Sequence, residues 1–264
     1  VSKTMVRTAN QTNVGRVRMV NEDRAFVQDD LNGFVLAIVA DGMGGHQAGD
    51  VASQMAVDII QGELQSLPAG ASVEERRRRV KSAIELANEK IFDFASQREN
   101  YFGMGTTVVT VLADEHALVI GHIGDSRAYK INDGAIVQLT EDHSLVNELV
   151  KNGQITREEA THHPRRNVLT RALGTEATIE VDIQDLNWNQ GDLVLICSDG
   201  LSSLISSEQL LTLVNGSGEL EHAASLLVNE ALEAGGDDNI TVVLVSNTAN
   251  PLTGDADHVN GEAG

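Results

Sequence analysis

The stretch Phe34-Val35-Leu36-Ala37-Ile38-Val39-Ala40, running directly into Asp41-Gly42-Met43-Gly44-Gly45-His46, decides the fold. Its first part is apolar at every position rather than at alternate ones, which reads as a strand buried on both faces. A carboxylate stands where that strand ends, and the glycines after it let the backbone turn. The arrangement recurs downstream: residues 116–123 run into Gly124-Asp125, and residues 193–197 into Ser198-Asp199. With Asn21-Glu22-Asp23, Asp142-His143-Ser144 and Asp237-Asp238-Asn239 these make six acidic islands spread over most of the chain. Carboxylates gathered in a cleft repel one another and lose hydration, a state best tolerated with divalent cations between them. A single Asp at a strand end is adequately explained by a turn or a helix cap. Six islands together point to a metal site built from distant segments.

Working outward, residues 14–28 read as an early strand. Val51, Met55, Ile59 and Ala52, Ala56, Ile60, Leu64 lie on adjacent rows of one face, which predicts an amphipathic helix over 50–67, ended by Pro68. Val80, Ile84, Ala87, Ile91 and Phe94 predict a second helix over 73–97. Strand-like runs at 106–112, 116–123, 127–131 and 135–139, joined by polar turn signals, predict an antiparallel meander. Short helices follow at 144–151 and 156–161, the latter with Thr156 and Glu159 as a capping box. Later strands are expected at 180–186, 193–198 and 240–246, with helices near 207–214 and 220–234 between them. Antiparallel strands interspersed with paired helices give an α+β class, a four-layer α-β-β-α sandwich of two antiparallel sheets flanked by helices. One domain over 1–247 is expected, followed by a disordered acidic tail at 248–264.

At 264 residues and 41% hydrophobic content, the chain can bury a proper core. No apolar run is long enough to cross a bilayer and no secretory leader is legible, so a cytoplasmic location without membrane insertion is expected. A formal net charge of -20 argues against non-specific nucleic-acid binding and against docking on anionic lipid. It also means that a phosphate-bearing substrate needs bound cations and a local arginine to reverse the field. Cys197, the lone cysteine, sits inside an apolar run and reads as a small buried hydrophobe. The Arg76-Arg77-Arg78-Arg79 run invites a phosphate-binding reading, but on a helix it fits better as a solvated face.

Manganese and magnesium want hard oxygen ligands, which makes Asp41, Asp199 and Asp238 the direct ligands expected from the residues themselves. A carboxylate bridging two such ions lowers the pKa of a shared water and places it toward phosphorus. Arg18 offers forked donors matched to phosphate oxygens and stays charged. Its alternative is a salt bridge to Glu22.

These islands, taken in order with Arg18 four residues before Glu22, Gly105-Thr106-Thr107 and the Ala172-Leu173-Gly174 turn, resemble the metal-dependent serine/threonine protein phosphatases of type 2C. The Asp-Gly-Met-Gly-Gly-His form resembles their bacterial branch, and the likeness spans residues 6 to 246. The resemblance implies a central β-sandwich flanked by helices and a centre of two or three Mn2+ or Mg2+ ions. It also implies roles: Asp41 as the bridging carboxylate, Gly42 as a backbone-carbonyl ligand, and Asp199 and Asp238 as the remaining core ligands. Glu22 and Asp23 resemble the acidic pair that reaches an ion directly or through water, and Asp125 with Asp199 a third-ion site. Arg18 resembles the phosphate clamp. Phosphorylated proteins, including a serine/threonine kinase, are the implied partners of a monomer.

One departure is Met43, which stands where eukaryotic relatives place a histidine considered to be the general acid. His46 is the candidate substitute, with a metal-bound water as the alternative. Between Ser144 and Ala172, the segment containing Thr161-His162-His163-Pro164-Arg165-Arg166-Asn167 corresponds to a variable flap, whose arginines either meet an acidic substrate or belong to an ordinary exposed loop. Other chemistries lack their parts. Ser203 stands where a cysteine phosphatase built on Cys197 needs arginine, and no Gly-Lys-Ser/Thr phosphate loop exists. The rival from another class is a catalytically inactive phosphoprotein-binding regulator on the same scaffold, which should lack ligand positions.

Overall fold

A computed structural model describes residues 6–45 and 48–247. The tail at 248–264 and the candidate acid His46 lie outside the described residues. In chain order the elements are β1 (Arg7–Asn13), β2 (Asp23–Leu31), β3 (Phe34–Met43), α1 (Ala48–Leu64), α2 (Val73–Ser96), β4 (Gly105–Thr106), β5 (Val108–Ala113), β6 (Ala117–Ile123), β7 (Arg127–Ile131) and β8 (Ile136–Gln138). There follow α3 (Leu145–Lys151), α4 (Arg157–His162), β9 (Asp182–Asn187), β10 (Leu193–Cys197), α5 (Asp199–Ser202), α6 (Ser207–Asn215), α7 (Leu220–Glu233) and β11 (Ile240–Ser246).

Two antiparallel sheets face each other, one ordered β1-β11-β10-β7-β8 and the other β2-β3-β5-β6-β9, with β4 beside β3. The apolar run of β3 shows how the layers are made. Val35, Ala37 and Val39 point between the sheets, where Val109, Val111, Ile196 and Val243 meet them. Leu36, Ile38 and Ala40 point the other way, into a layer filled by Ala56 and Ile60 of α1 and Ile84 and Ile91 of α2. On the far side Leu195, Val242 and Leu244 pack against Leu227 and Ala231 of α7. Strands buried on both faces need no polar alternation, so continuous apolar runs are what a four-layer sandwich demands.

The early strand expected over 14–28 is corrected: residues 14–22 are a loop, and β1 lies before it at Arg7–Asn13. β1 is an edge strand in which only Ala9 is buried, so its composition is polar and gives little periodic signal. The first helix stops at Leu64, before the turn that leads to Pro68. The capping box at Thr156 and Glu159 is present.

The pairings bring one set of strand ends together. Asp23 at the start of β2 lies directly opposite Asp41 near the end of β3. The end of β10 pairs with the starts of β7 and β11, and the β6–β7 connection at Gly124-Asp125-Ser126 crosses from one sheet to the other at the same end of the sandwich.

Candidate metal centre

At that end lies a cleft of about 360 Å³ whose walls include Arg18, Glu22, Asp41, Asp125, Asp199 and Asp238. Gly42 lines it too, and Asp23 lies within hydrogen-bond reach of Ser198, buried beside the wall with 1% exposure. Carboxylates from β2, β3, the β6–β7 turn, the start of α5 and the loop before β11 thus converge, although the first and last are more than 200 residues apart in sequence.

The local backbone explains why glycine follows Asp41 and Asp199. A Cβ at Gly42 would sit 1.9 Å from the carbonyl oxygen of Gly49, and one at Gly200 1.9 Å from that of Asn239. Both approaches close the cleft floor, and any side chain would prise its walls apart. Asn239 ties the wall together: its side-chain oxygen accepts from the Glu22 N–H at 2.8 Å, and its amide donates to the carbonyls of Val14 and Val20. Thr107 plays a similar part, accepting from the Asp41 N–H at 3.1 Å while its hydroxyl pairs with Ser126 at 2.7 Å. The sequence reading gave Asn239 and Thr107 no role. Each stood in a quoted motif, but only partners distant in sequence reveal what a neutral side chain holds.

The electrostatics are those of a site short of positive charge. Burial, then the neighbouring carboxylates of Asp23, Asp199 and Asp125, hold the Asp41 carboxyl well above its ordinary range. Asp125 is raised by burial and by Asp199, and Asp199 by burial and Asp238. Asp23 is pushed up to about 7 by burial, against hydrogen bonds from Thr241 and Ser198, each 2.7 Å long. Glu22 is raised by burial, against the pull of the Arg18 charge. One oxygen of Asp23 and one of Asp199 are buried with no hydrogen-bond partner. Buried polar atoms are nearly always paired, so orphaned carboxylate oxygens beside an acidic cleft suit a cation. An all-oxygen donor set suits a hard divalent ion such as manganese or magnesium.

Arg18 reaches the cleft but pairs with Asp238 at 2.9 Å rather than with Glu22. It is half exposed, so this ion pair costs little to exchange for a phosphate. Of the flap, Asn167 and Leu169 line the cleft, while Arg165 and Arg166 are exposed to solvent and not part of its wall. The Arg76–Arg79 run is consumed internally. Arg76 is buried against Asp114 and the Phe34 ring, Arg77 pairs with Asp185, Arg78 with Glu75, and Arg79 with Ser66. Cys197 is fully buried and burial pushes its thiol up to about 12, so it is inert as a nucleophile.

Ligand-type atoms also meet at His122, His143 and Asp182, within 4.8 Å of one another. Their protons argue against an ion there. His143 accepts from the Gly124 N–H on Nδ1, which puts its own proton on Nε2, toward Asp182. His122 donates from Nε2 to the Glu141 carbonyl. The two rings are stacked with planes 14° apart, so they do not aim lone pairs at a common point. This cluster is a brace beneath the β6–β7 turn.

A two-sheet sandwich with an oxygen-lined acidic cleft and one arginine at its mouth defines a class of metal-dependent hydrolase. The sequence profile of protein phosphatase 2C matches residues 12–234, and the chain belongs to that family. It is 40% identical over 235 residues to the serine/threonine phosphatase stp of Listeria monocytogenes, covering 89% of this chain and 93% of that one. The serine/threonine phosphatase PstP/Ppp of Mycobacterium tuberculosis superposes with a TM-score of 0.83 at 35% identity, over 91% of this chain and 98% of that one. The catalytic domain of a serine/threonine protein phosphatase PstP solved with two manganese ions superposes at 0.81 and 34% identity, over 91% and 97% of the two chains. Among the described residues no helix is long and apolar enough to cross a membrane.

Proposed function

We propose that the chain hydrolyses phosphoserine and phosphothreonine esters in proteins at a centre of two or three Mn2+ or Mg2+ ions, opposing serine/threonine kinases in the cytoplasm. The observation that carries this reading is the convergence of Asp41, Asp125 and Asp199 with raised carboxyl pKa values and an orphaned buried oxygen, beside Arg18. Asp41, Asp199 and Asp238, with the Gly42 carbonyl, would hold the core ions. Glu22 and Asp23 would reach them directly or through water, and Asp125 with Asp199 would hold a third. Ions bound there supply concentrated positive charge and a more acidic water, the chemistry that phosphate ester hydrolysis requires.

The chain's own residues do the rest. Arg18 binds and orients the phosphate, exchanging Asp238 for phosphate oxygens with its forked donors. Asn239 and Thr107 fix the walls so that the carboxylates keep their spacing. Met43 lines the cleft and has no proton to give, which leaves His46 as the side-chain candidate for protonating the leaving oxygen. An inactive phosphoprotein-binding regulator finds no support, because no ligand position is missing from the chain. The deciding experiment is hydrolysis of a phosphothreonine peptide with and without manganese. Release of phosphate only in its presence is expected; inertness of the manganese-loaded protein toward every phosphoester would end this reading.

A further inference from the structure

Six large apolar side chains stand exposed among the described residues: Val17, Met19, Val20, Phe102, Val137 and Val168. Val17, Met19, Val20 and Val168 each lie within two residues of a position that lines the acidic cleft. Val17 and Met19 flank Arg18, and the Val20 carbonyl is held by Asn239, both cleft-lining residues. Val168 stands between Asn167 and Leu169, which line the cleft. Phe102 lies two residues before Met104, whose backbone abuts the wall at Gly44. Exposed apolar residues scattered singly need no explanation. Four of six within two residues of cleft-lining positions, and a fifth two residues from the Met104–Gly44 approach, is not such a scatter.

The loop carrying Val17, Met19 and Val20 is fastened down. The Arg16 N–H donates to the Gly236 carbonyl at 2.8 Å, the Arg16 guanidinium binds Leu232 and Glu233, and Asn239 holds the carbonyls of Val14 and Val20. The backbone is tied to the protein while Met19 remains 94% exposed and Phe102 84%. These side chains are presented to solvent by anchored or cleft-adjacent backbone rather than left out of a loose one.

From this arrangement we infer that the cleft mouth is a docking rim for phosphopeptides whose residues next to the phosphorylated serine or threonine are apolar. The inference rests on the phosphatase reading. A phosphorylated side chain that reaches the cleft floor carries its own backbone across the rim, so its neighbours land on Val17, Met19, Phe102 and Val168. Apolar neighbours gain by leaving water there. Acidic neighbours meet the field of a chain with net charge -20 and a carboxylate-lined floor. The unbranched, polarisable Met19 adapts to neighbours of different shape, so the rim selects apolar character rather than one sequence.

The test uses phosphothreonine peptides of one length, flanked by Leu and Val, by Ser, or by Glu, with p-nitrophenyl phosphate as an ester too small to span the rim. With manganese, kcat/KM for the Leu/Val peptide is expected to exceed that for the Ser peptide by about tenfold, as a few apolar contacts allow, and the Glu peptide to be slowest. In a Met19→Ser, Phe102→Ser, Val168→Ser triple variant, the Leu/Val-to-Ser ratio is expected to fall toward one, each rate being read against the same variant's rate on p-nitrophenyl phosphate. Equal rates on the Leu/Val and Ser peptides by the unaltered protein, or an undiminished ratio in the variant, overturn the rim. Failure to cleave any ester, p-nitrophenyl phosphate included, strikes the phosphatase reading first and takes the rim with it.

Discussion

Asp125 and Arg127 are two residues apart on the turn that carries the chain from one sheet to the other, yet they belong to opposite electrostatic regimes. Arg127 is answered on all sides: two of its nitrogens bind the Asp142 carboxylate at 2.9 and 2.7 Å, and a third donates to the Tyr129 hydroxyl. Burial alone would lower its pKa, and the Asp142 hydrogen bonds raise it instead. Asp125 sits among carboxylates: burial first, then Asp199 and Asp142, raise its pKa, and the nearby Arg127 charge only partly offsets them. Both regions bury charge at the same end of the sandwich. One charge has its partner within the chain and acts as structure; the other is set among carboxylates, makes no ion pair among the described residues, and becomes a site.

The contrast breaks most visibly if the structural half is damaged. Arg127→Met leaves Asp142, 16% exposed, without its cation, and stranding one member of such a pair costs about 3 kcal/mol. For a chain of this size that is a fall in melting temperature of roughly 6–12 °C by calorimetry. A fall under about 2 °C would show that the pair is incidental.

In the cleft the sign reverses. Asp199→Asn removes a charge that burial and Asp238 disfavour and that raises Asp41 in turn, so the metal-free variant at pH 8 is expected to melt no lower than the unaltered protein and by a few degrees higher. The same change strips a ligand charge, and manganese-supported turnover should fall by more than about 100-fold, beyond what loss of an outer support usually brings. Calorimetric titration with manganese reads the affinity. Turnover like that of the unaltered protein would remove Asp199 from the ligand set.

What the sequence made legible follows this same division. The all-apolar runs 34–40, 193–197 and 242–245 fixed strands and layers, because a strand buried on both faces has no other reading once its length is short. Asp41, Asp125, Asp199 and Asp238 were legible because charge at a strand tip is conspicuous. β1 was missed because an edge strand with one buried residue carries no pattern. Asn239, Thr107 and the His143–Asp182 brace were missed for another reason: their partners lie 19 to 225 residues away, and a hydrogen bond across that distance leaves no mark on composition or periodicity.

Protons compete with cations for the unanswered carboxylates, which sharpens the comparison through pH. Asp23 sits at about 7 in the folded chain against about 3.9 in an unfolded one. A raised pKa means that its stabilising protonation is fully present below about pH 4 and lost as pH rises through 7. Asp41, Asp125 and Asp199 shift in the same direction. The metal-free protein should therefore lose stability from pH 5.5 to 8, while manganese, no longer displacing protons, stabilises it more at the higher pH. An increase of about 5 °C in the manganese-induced melting shift between those two values is expected. An equal shift at both would mean that the ions bind elsewhere.

The smallest effect belongs to charges that are paired and wet. Arg78 pairs with Glu75 on the outer face of α2, where it is 67% exposed, so water already satisfies what the partner offers. Arg78→Gln is expected to change stability by less than about 0.5 kcal/mol and to leave hydrolysis of a phosphothreonine peptide unaltered. The measurement separates two meanings of a basic run. If the Arg76–Arg79 stretch served phosphate, removing its most exposed member would raise KM for the peptide and leave melting alone. If it is a solvated helix face with Arg76 as its one buried anchor, KM stays where it was, and only Arg76→Met lowers the melting temperature, because only Arg76 lies between Asp114 and the Phe34 ring.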